Sequence, residues 1–242
     1  MSISAETIST RALTMEDKLA MFGLLDAHFD GVSLPAFLHD LAEKTWVIVL
    51  RDRATGNLAG FSTLMLLETS VDGVAVTAVF SGDTIIARQY WGDPVIVKAW
   101  FKFILGFSES RPGERLYWFL ISQGHRTYRL LPLYLNEFYP RRGTPTPPAE
   151  KRVLDTLALA KFPGEYDPAT GVIRHAGAGQ RLKRDLSEIS TGRLKNQDIA
   201  FFAEMNPGHR EGDELACIAR LERGNYRKIA YRILNWGDGP GL

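Results

Sequence analysis

The chain has 242 residues, 45% of them apolar and 24% charged, with a net charge of +1. That is the balance of an ordinary globular protein with a substantial core and no bias towards nucleic acid or an acidic membrane. Its single Cys217 excludes an intramolecular disulfide and reads as a small buried hydrophobe in a reducing compartment. Lys98 and Lys102 interrupt the longest apolar run, Pro94 to Phe107, so no segment reaches spanning length; with no basic, hydrophobic leader, a cytoplasmic protein is expected.

Weak alternation over Ile3 to Ala12 predicts an edge strand. Thr14 is an N-cap with Asp17 in the capping-box position, and Leu19, Phe22, Leu25 and Phe29 recur at helical intervals as a buried face. Gly31 ends that helix. Ser33 caps a second one, with Pro35 in its first turn and Phe37, Leu38 and Leu41 inward. Trp46 to Leu50 is an apolar strand, Arg51 to Asn57 a polar hairpin turn, and Leu58 to Glu68 the next strand. The turn Val71-Asp72-Gly73 leads into a third strand, Val74 to Ala87, so three consecutive strands pair antiparallel.

The helix that follows is apolar on most faces, which predicts packing on a sheet, and Ser110 to Gly113 closes it. Leu116 to Ile121 is fully apolar and is expected to be a central strand. His125 to Pro140 reads as a helix kinked at Pro132, or as two short helical pieces. Arg141 to Pro148 is a linker. Lys151 to Phe162 is helical, Tyr166 to Arg174 is a turn and a short strand, and Gly177-Ala178-Gly179 is expected to be flexible. Gln180 to Lys195 reads as polar and mostly solvated. Asp198 to Met205 and Glu214 to Leu221 are a helix and a strand around Asn206-Pro207-Gly208-His209, and the glycine-rich tail Trp236 to Leu242 is expected to fray.

Strand, glycine turn and helix meet between Ser81 and Pro94. A helix N-terminus there would offer free N–H donors and a partial positive charge to a diphosphate. Pro94, however, lacks an N–H, and Asp93 places a carboxylate where a phosphate would lie. Two readings stay open: a loop for a phosphopantetheine-type donor, or a bare helix cap.

The order strand, helix, helix, three strands, loop, helix, strand, helix over residues 3 to 140 resembles the GNAT N-acyltransferase fold. In that family the fourth strand runs into a loop of pattern Gln/Arg-x-x-Gly-x-Gly/Ala. Gln89-Tyr90-Trp91-Gly92-Asp93-Pro94 matches it at Gln89 and Gly92 and departs from it at Pro94. Leu133-Tyr134 followed by Phe138-Tyr139 is similar to the end of the family's fourth helix. The resemblance implies an α/β (α+β) fold with a mixed, mostly antiparallel sheet flanked by helices. The core would span residues 1–144, with a C-terminal α/β extension over 145–242 packed on it.

What the resemblance implies for chemistry follows residue by residue. Asp83 matches a position where family members often carry the base, and Tyr134 matches the usual acid. Backbone N–H groups near Ile85 and Ile86 would hold the thioester carbonyl, and Arg88, Gln89, Trp91 and Gly92 would lie along the donor. Plain readings stand beside these: a strand-end carboxylate facing water for Asp83, a core aromatic for Tyr134. His125, Arg126 and Tyr128 cluster where an acceptor cleft would lie, and also fit a polar helix start. No histidine pair has metal-ligand spacing, so no metal is expected.

The function implied is transfer of an acyl group from a CoA or carrier-protein thioester to an amine on a small molecule. Acyl-CoA or a phosphopantetheine thioester would be the co-substrate, and an acyl carrier protein and a homodimer are the partners to test. The alternative is a GNAT-shaped, non-catalytic ligand-binding or assembly protein that has lost donor binding.

Overall fold

The computed structural model describes residues 3–175 and 179–234. Trp236 to Leu242 and Gly177-Ala178, expected above to be frayed or flexible, lie outside the described residues. The first half comprises β1 (Ile3–Ser9), α1 (Met15–His28), β2 (Phe29–Asp30), α2 (Leu34–Glu43), β3 (Trp46–Asp52), β4 (Leu58–Val71) and β5 (Val74–Ile86). Then come α3 (Val95–Glu109), β6 (Leu116–Ser122), α4 (His125–Tyr128), α5 (Leu130–Tyr134) and α6 (Pro148–Lys161). The remainder is β7 (Tyr166–Asp167), β8 (Val172–Ile173), β9 (Arg181–Leu182), α7 (Arg184–Ser187), α8 (Thr191–Leu194), α9 (Gln197–Met205), β10 (Glu214–Arg220) and α10 (Lys228–Leu234).

Eight strands form one sheet in the order β1-β3-β4-β5-β6-β10-β8-β7, a mixed and mostly antiparallel arrangement flanked by helices. Among the described residues the one parallel pair is β5 with β6, which α3 connects as the crossover. The antiparallel run β3-β4-β5 forms because its turns are short. Asp72 and Gly73, both at positive φ (53° and 77°), make the tight link between β4 and β5. Thr14 and Asp17 form the capping box, and Ser33 caps α2.

One sheet face is covered by α3, whose Trp100, Phe101, Ile104 and Leu105 pack against Val79, Trp118 and Leu120. The other is covered by α1 and α2 over Val47, Val49, Phe61 and Ile85, and by α6 over Ala78, Phe80 and Phe119. The C-terminal residues enter this same core: β10 pairs with β6, with Cys217 fully buried opposite Leu120.

Three local expectations need correction. The buried face of α1 is Met21, Leu25 and His28; Leu19 is exposed, and Phe29 has left the helix for β2. Helix after β6 stops at Tyr134 rather than Pro140, because Leu135 and Tyr139 bridge to Tyr226 and Ile218 instead. Gln180 to Lys195 is not simply solvated: β9 pairs with β2, and Leu186, Ser187 and Ile189 are buried.

Candidate functional site

The parallel pairing of β5 and β6 stops at Ser81 and Leu120, where Trp118 Nε1 donates to Ser81 Oγ at 2.8 Å. Past that point β5 continues to Ile86 with no strand paired on its β6 side among the described residues, so the sheet splays. The pairing with β4 also shifts here. Phe80 stands opposite Met65 and Ile85 opposite Phe61, so an extra residue bulges out of β5 at Gly82–Asp83. The bulge shifts the alternation by one residue and turns Asp83 to the side of Asp40 and Lys44. Gly82 is needed there: a Cβ would lie 2.6 Å from Thr63 Oγ1 and 2.9 Å from Lys44 Cε.

Asp83 is half-buried. Burial, reinforced by the Asp40 carboxylate, pushes its pKa up to about 6 against the pull of Gln180 and Lys44. Gln180 Nε2 donates to Asp83 Oδ1 at 3.2 Å. Lys44 is buried, with Nζ 2.5 Å from Asp40 Oδ1, and Thr63 Oγ1 beside it has no hydrogen-bond partner among the described residues. Glu214 also faces this region and is held by His175 at 2.9 Å. Gln123, at the end of β6, ties the far side together: its Nε2 donates to the carbonyls of Gln180 and Gly212, and its Oε1 accepts from Leu182 N–H. The carboxylate therefore sits at the splay, beside the segment around β9 that carries Gln180. Gln123, Gln180, Lys44 and Thr63 escaped the sequence reading, since only the fold brings them to Asp83.

The loop after β5 is a different environment. Ala87 N–H donates to Ala59, so its neighbour Ile86 turns its backbone to the open edge, while Ile85 buries its side chain under α1 and α2. The Ile86 carbonyl accepts the Trp91 indole N–H at 2.8 Å. Arg88 to Tyr90 form one turn of 3-10 helix, with Gln89 exposed and Tyr90 bonded to Asp52. Arg88 pairs with Asp185 at 2.5 Å, and Gly92 takes a φ of 93°. Asp93 Oδ1 accepts from Val95 N–H at 2.9 Å, a local bond two residues on, while Pro94 is the N-cap of α3 and no side chain caps it.

The residues grouped after β6 separate. His125 is buried, and burial together with Arg193 drives its pKa down to about 4; its Nε2 lies 2.8 Å from Arg193 Nη1. Arg126 is exposed over the Trp91 ring. Tyr128 is fully buried, and its hydroxyl donates to the Pro140 carbonyl at 3.0 Å. Tyr134 packs edge-on against Phe101 with ring centroids 5.2 Å apart, on the α3 side of the sheet, and burial raises its pKa. It shares no hydrogen bond with Asp83 among the described residues. Among those residues, too, no helix is long and apolar enough to cross a membrane, and no three His, Cys, Asp or Glu side chains are grouped to hold a metal ion.

No protein-family model matches the chain, and no curated protein does. Solved structures with a related chain path include a probable N-acyltransferase from Enterococcus faecalis V583. It is 12% identical with a TM-score of 0.42, and the match covers 54% of this chain but only 32% of that one. An acyl-CoA N-acyltransferase from Pseudomonas aeruginosa is 15% identical with a TM-score of 0.41, over 55% of this chain and 88% of that one. A GNAT family N-acetyltransferase from Escherichia coli, solved with CoA, is 17% identical with a TM-score of 0.37, over 51% and 65%. Likenesses of this size carry no weight for activity or ligand. The class rests on the chain's own topology: among the described residues, the strand order, the single parallel pair and its splay beside a bulge make a mixed, mostly antiparallel α+β fold of the kind the resemblance implies.

Proposed function

We propose that the chain transfers an acyl group from a CoA-type thioester to the amine of a small molecule. One observation carries this reading: a bulge at the splay turns a desolvated carboxyl, Asp83, with a pKa of about 6, towards Gln180 and Lys44. A carboxylate with that pKa is ionised at neutral pH yet basic enough to accept a proton, directly or through one water. The amine nitrogen attacks the thioester carbonyl as its proton passes to Asp83, and the developing oxyanion lies near the backbone N–H of Ile86, since that of Ile85 faces β4. Collapse of the tetrahedral adduct breaks the carbon–sulfur bond. Tyr134, kept neutral by burial, is assigned the proton for the leaving thiolate.

The test is release of free thiol from acetyl-CoA and longer acyl-CoAs across a panel of amines. Acceptor-dependent release is expected, and Tyr134→Phe should slow it at unchanged donor affinity. No release with any donor and amine pair would overturn the CoA reading; unchanged turnover in Tyr134→Phe would remove that residue from the role.

A second reading is favoured by specific contacts. With Val95 N–H bonded to Asp93, Pro94 without an N–H and Arg88 paired to Asp185, donors at the start of α3 are lost to a diphosphate, as in a GNAT-shaped protein that no longer binds a donor there. Absence of binding by every CoA ester would favour it.

A further inference from the structure

We infer that the cavity between the C-terminal end of α3 and the start of β6 binds a small organic carboxylate with an apolar body, held through Arg115. The site stands apart from Asp83 and does not rest on the acyl-transfer reading.

The cavity has a volume of about 510 Å³, within the range of pockets that enclose small molecules. Its apolar wall is Leu105 of α3, Leu116 of β6, Leu221 just past β10 and Tyr226, each at most 6% exposed. Leu120, where the sheet splays, lies four residues further along β6 than Leu116, roughly 13 Å away. Helix α3 joins the two places: it starts at Val95 after the loop that follows β5, and Ser108 and Glu109 at its end stand in the cavity wall.

Most of the arginines in the wall have a carboxylate. Arg111 meets Glu114 at 3.2 Å, Arg220 meets Glu150 at 3.0 Å, and Arg223 meets Glu109 at 2.5 Å. Arg115 has no carboxylate at ion-pair distance among the described residues. It is half-buried, 5.9 Å from the Tyr117 ring centroid, and donates one N–H to the Tyr117 hydroxyl at 3.1 Å. Arg220 approaches the same ring at 5.7 Å, so two guanidiniums crowd one buried tyrosine while Glu150 answers only one of them. Like charges brought together cost energy unless an anion joins them. A guanidinium carries five N–H donors, and its fork matches the two oxygens of a carboxylate. One unmatched cation beside an apolar wall suits a monoanion with an apolar body.

Tyr226 is an independent sign. Its buried hydroxyl makes no hydrogen bond of ordinary geometry among the described residues, and Ser108 beside it gives its own proton to the Ile104 carbonyl at 2.8 Å. Buried polar groups are nearly always bonded, and one left over in a cavity wall is a place that a ligand or an ordered water completes. Glu222, exposed in the same wall, has no ion pair among the described residues and would meet an ammonium on the acid.

The test is calorimetric titration of the full chain with 3-phenylpropionate and, separately, with phenylalanine, which share an aromatic body and a carboxylate and differ by the ammonium. Wild type should bind at least one of them. Arg115→Gln should weaken that binding about tenfold or more, and Arg152→Gln, at an exposed arginine paired with Asp72, should leave it unmoved. Each variant is first checked for native melting. Hydrogen exchange on wild type gives a second readout that needs no substitution and decides the matter if Arg115→Gln does not fold: the ligand should slow exchange in residues 105–117 and 220–226 and not around Asp83. A preference for phenylalanine that Glu222→Gln abolishes would support the site with a free amino acid as ligand, and a preference for 3-phenylpropionate would support it with a simple acid. No binding of either compound to wild type, binding untouched by a folded Arg115→Gln, equal weakening by Arg152→Gln, or protection at the splay instead of the cavity would overturn the inference.

Discussion

Strand β5 leads into two polar places of opposite character. At the bulge, Asp83 keeps a desolvated carboxyl whose neighbours do not neutralise it, since Lys44 is already paired with Asp40 and Glu214 is of the same sign. Beyond the end of the strand, in the loop 88–94, the conspicuous polar groups have internal partners: Arg88 with Asp185, Trp91 with Ile86, Tyr90 with Asp52, Asp93 with Val95. A fold that satisfies its loop so fully, yet retains an unfavourable carboxyl nearby, points to use at Asp83 rather than at the helix N-terminus. Perturbed groups in clefts are where chemistry concentrates.

The substitution that breaks the comparison most severely is Asp83→Asn. It removes the base while keeping shape and hydrogen bonding, and kcat should fall by about 10²–10⁴-fold with the melting temperature held or raised, as measured by steady-state assay and calorimetry. A variant with undiminished turnover would assign Asp83 to structure.

His175 sharpens the comparison from the other side. Its hydrogen bond to Glu214, aided by Glu165, raises its pKa to about 9 in the folded state from the ordinary 6.5. The folded protein therefore binds the proton more tightly, and the resulting stability is fully present below pH 6.5 and lost as pH rises through about 9. The loss should be roughly 2–3 kcal/mol after allowing for partial exposure. His175→Gln should flatten that alkaline decline in urea titrations, and an unchanged decline would exclude His175 as its source.

Asp93→Ala carries the smallest effect. Loss of its hydrogen bond to Val95 N–H should cost about 1 kcal/mol of stability by chemical denaturation. The same change frees Val95 N–H and removes a repelling charge, so a helix-terminal anion site would respond with tighter pyrophosphate binding. The contrast drawn above predicts little response there.

Much of the first half was legible because its determinants are local. The capping box at Thr14 and Asp17, the Asp72-Gly73 turn and the apolar run Leu116 to Ile121 each specify an element within a few residues. Asp83 was singled out only through the resemblance, from its place on the fourth strand, and the bulge that turns it depends on pairing with β4. The α1 face was misjudged because Met21 and His28 are less distinctive than Leu19 and Phe22, and tertiary packing chose among overlapping stripes. Contacts across long separations were not legible. Arg193 meets His125 across 68 residues and Gln180 meets Asp83 across 97. The pairing of β10 with β6 likewise depends on a long excursion closing, which no local pattern encodes.

The most direct test is the pH dependence of kcat/KM for acyl transfer by the wild-type chain. A base whose pKa burial has raised to about 6 predicts a rate that falls tenfold per unit below that pH and is level above it. A profile flat from pH 5 to 8, or one whose acidic limb is unchanged in the residual activity of Asp83→Asn, would contradict the assignment of Asp83 as the base.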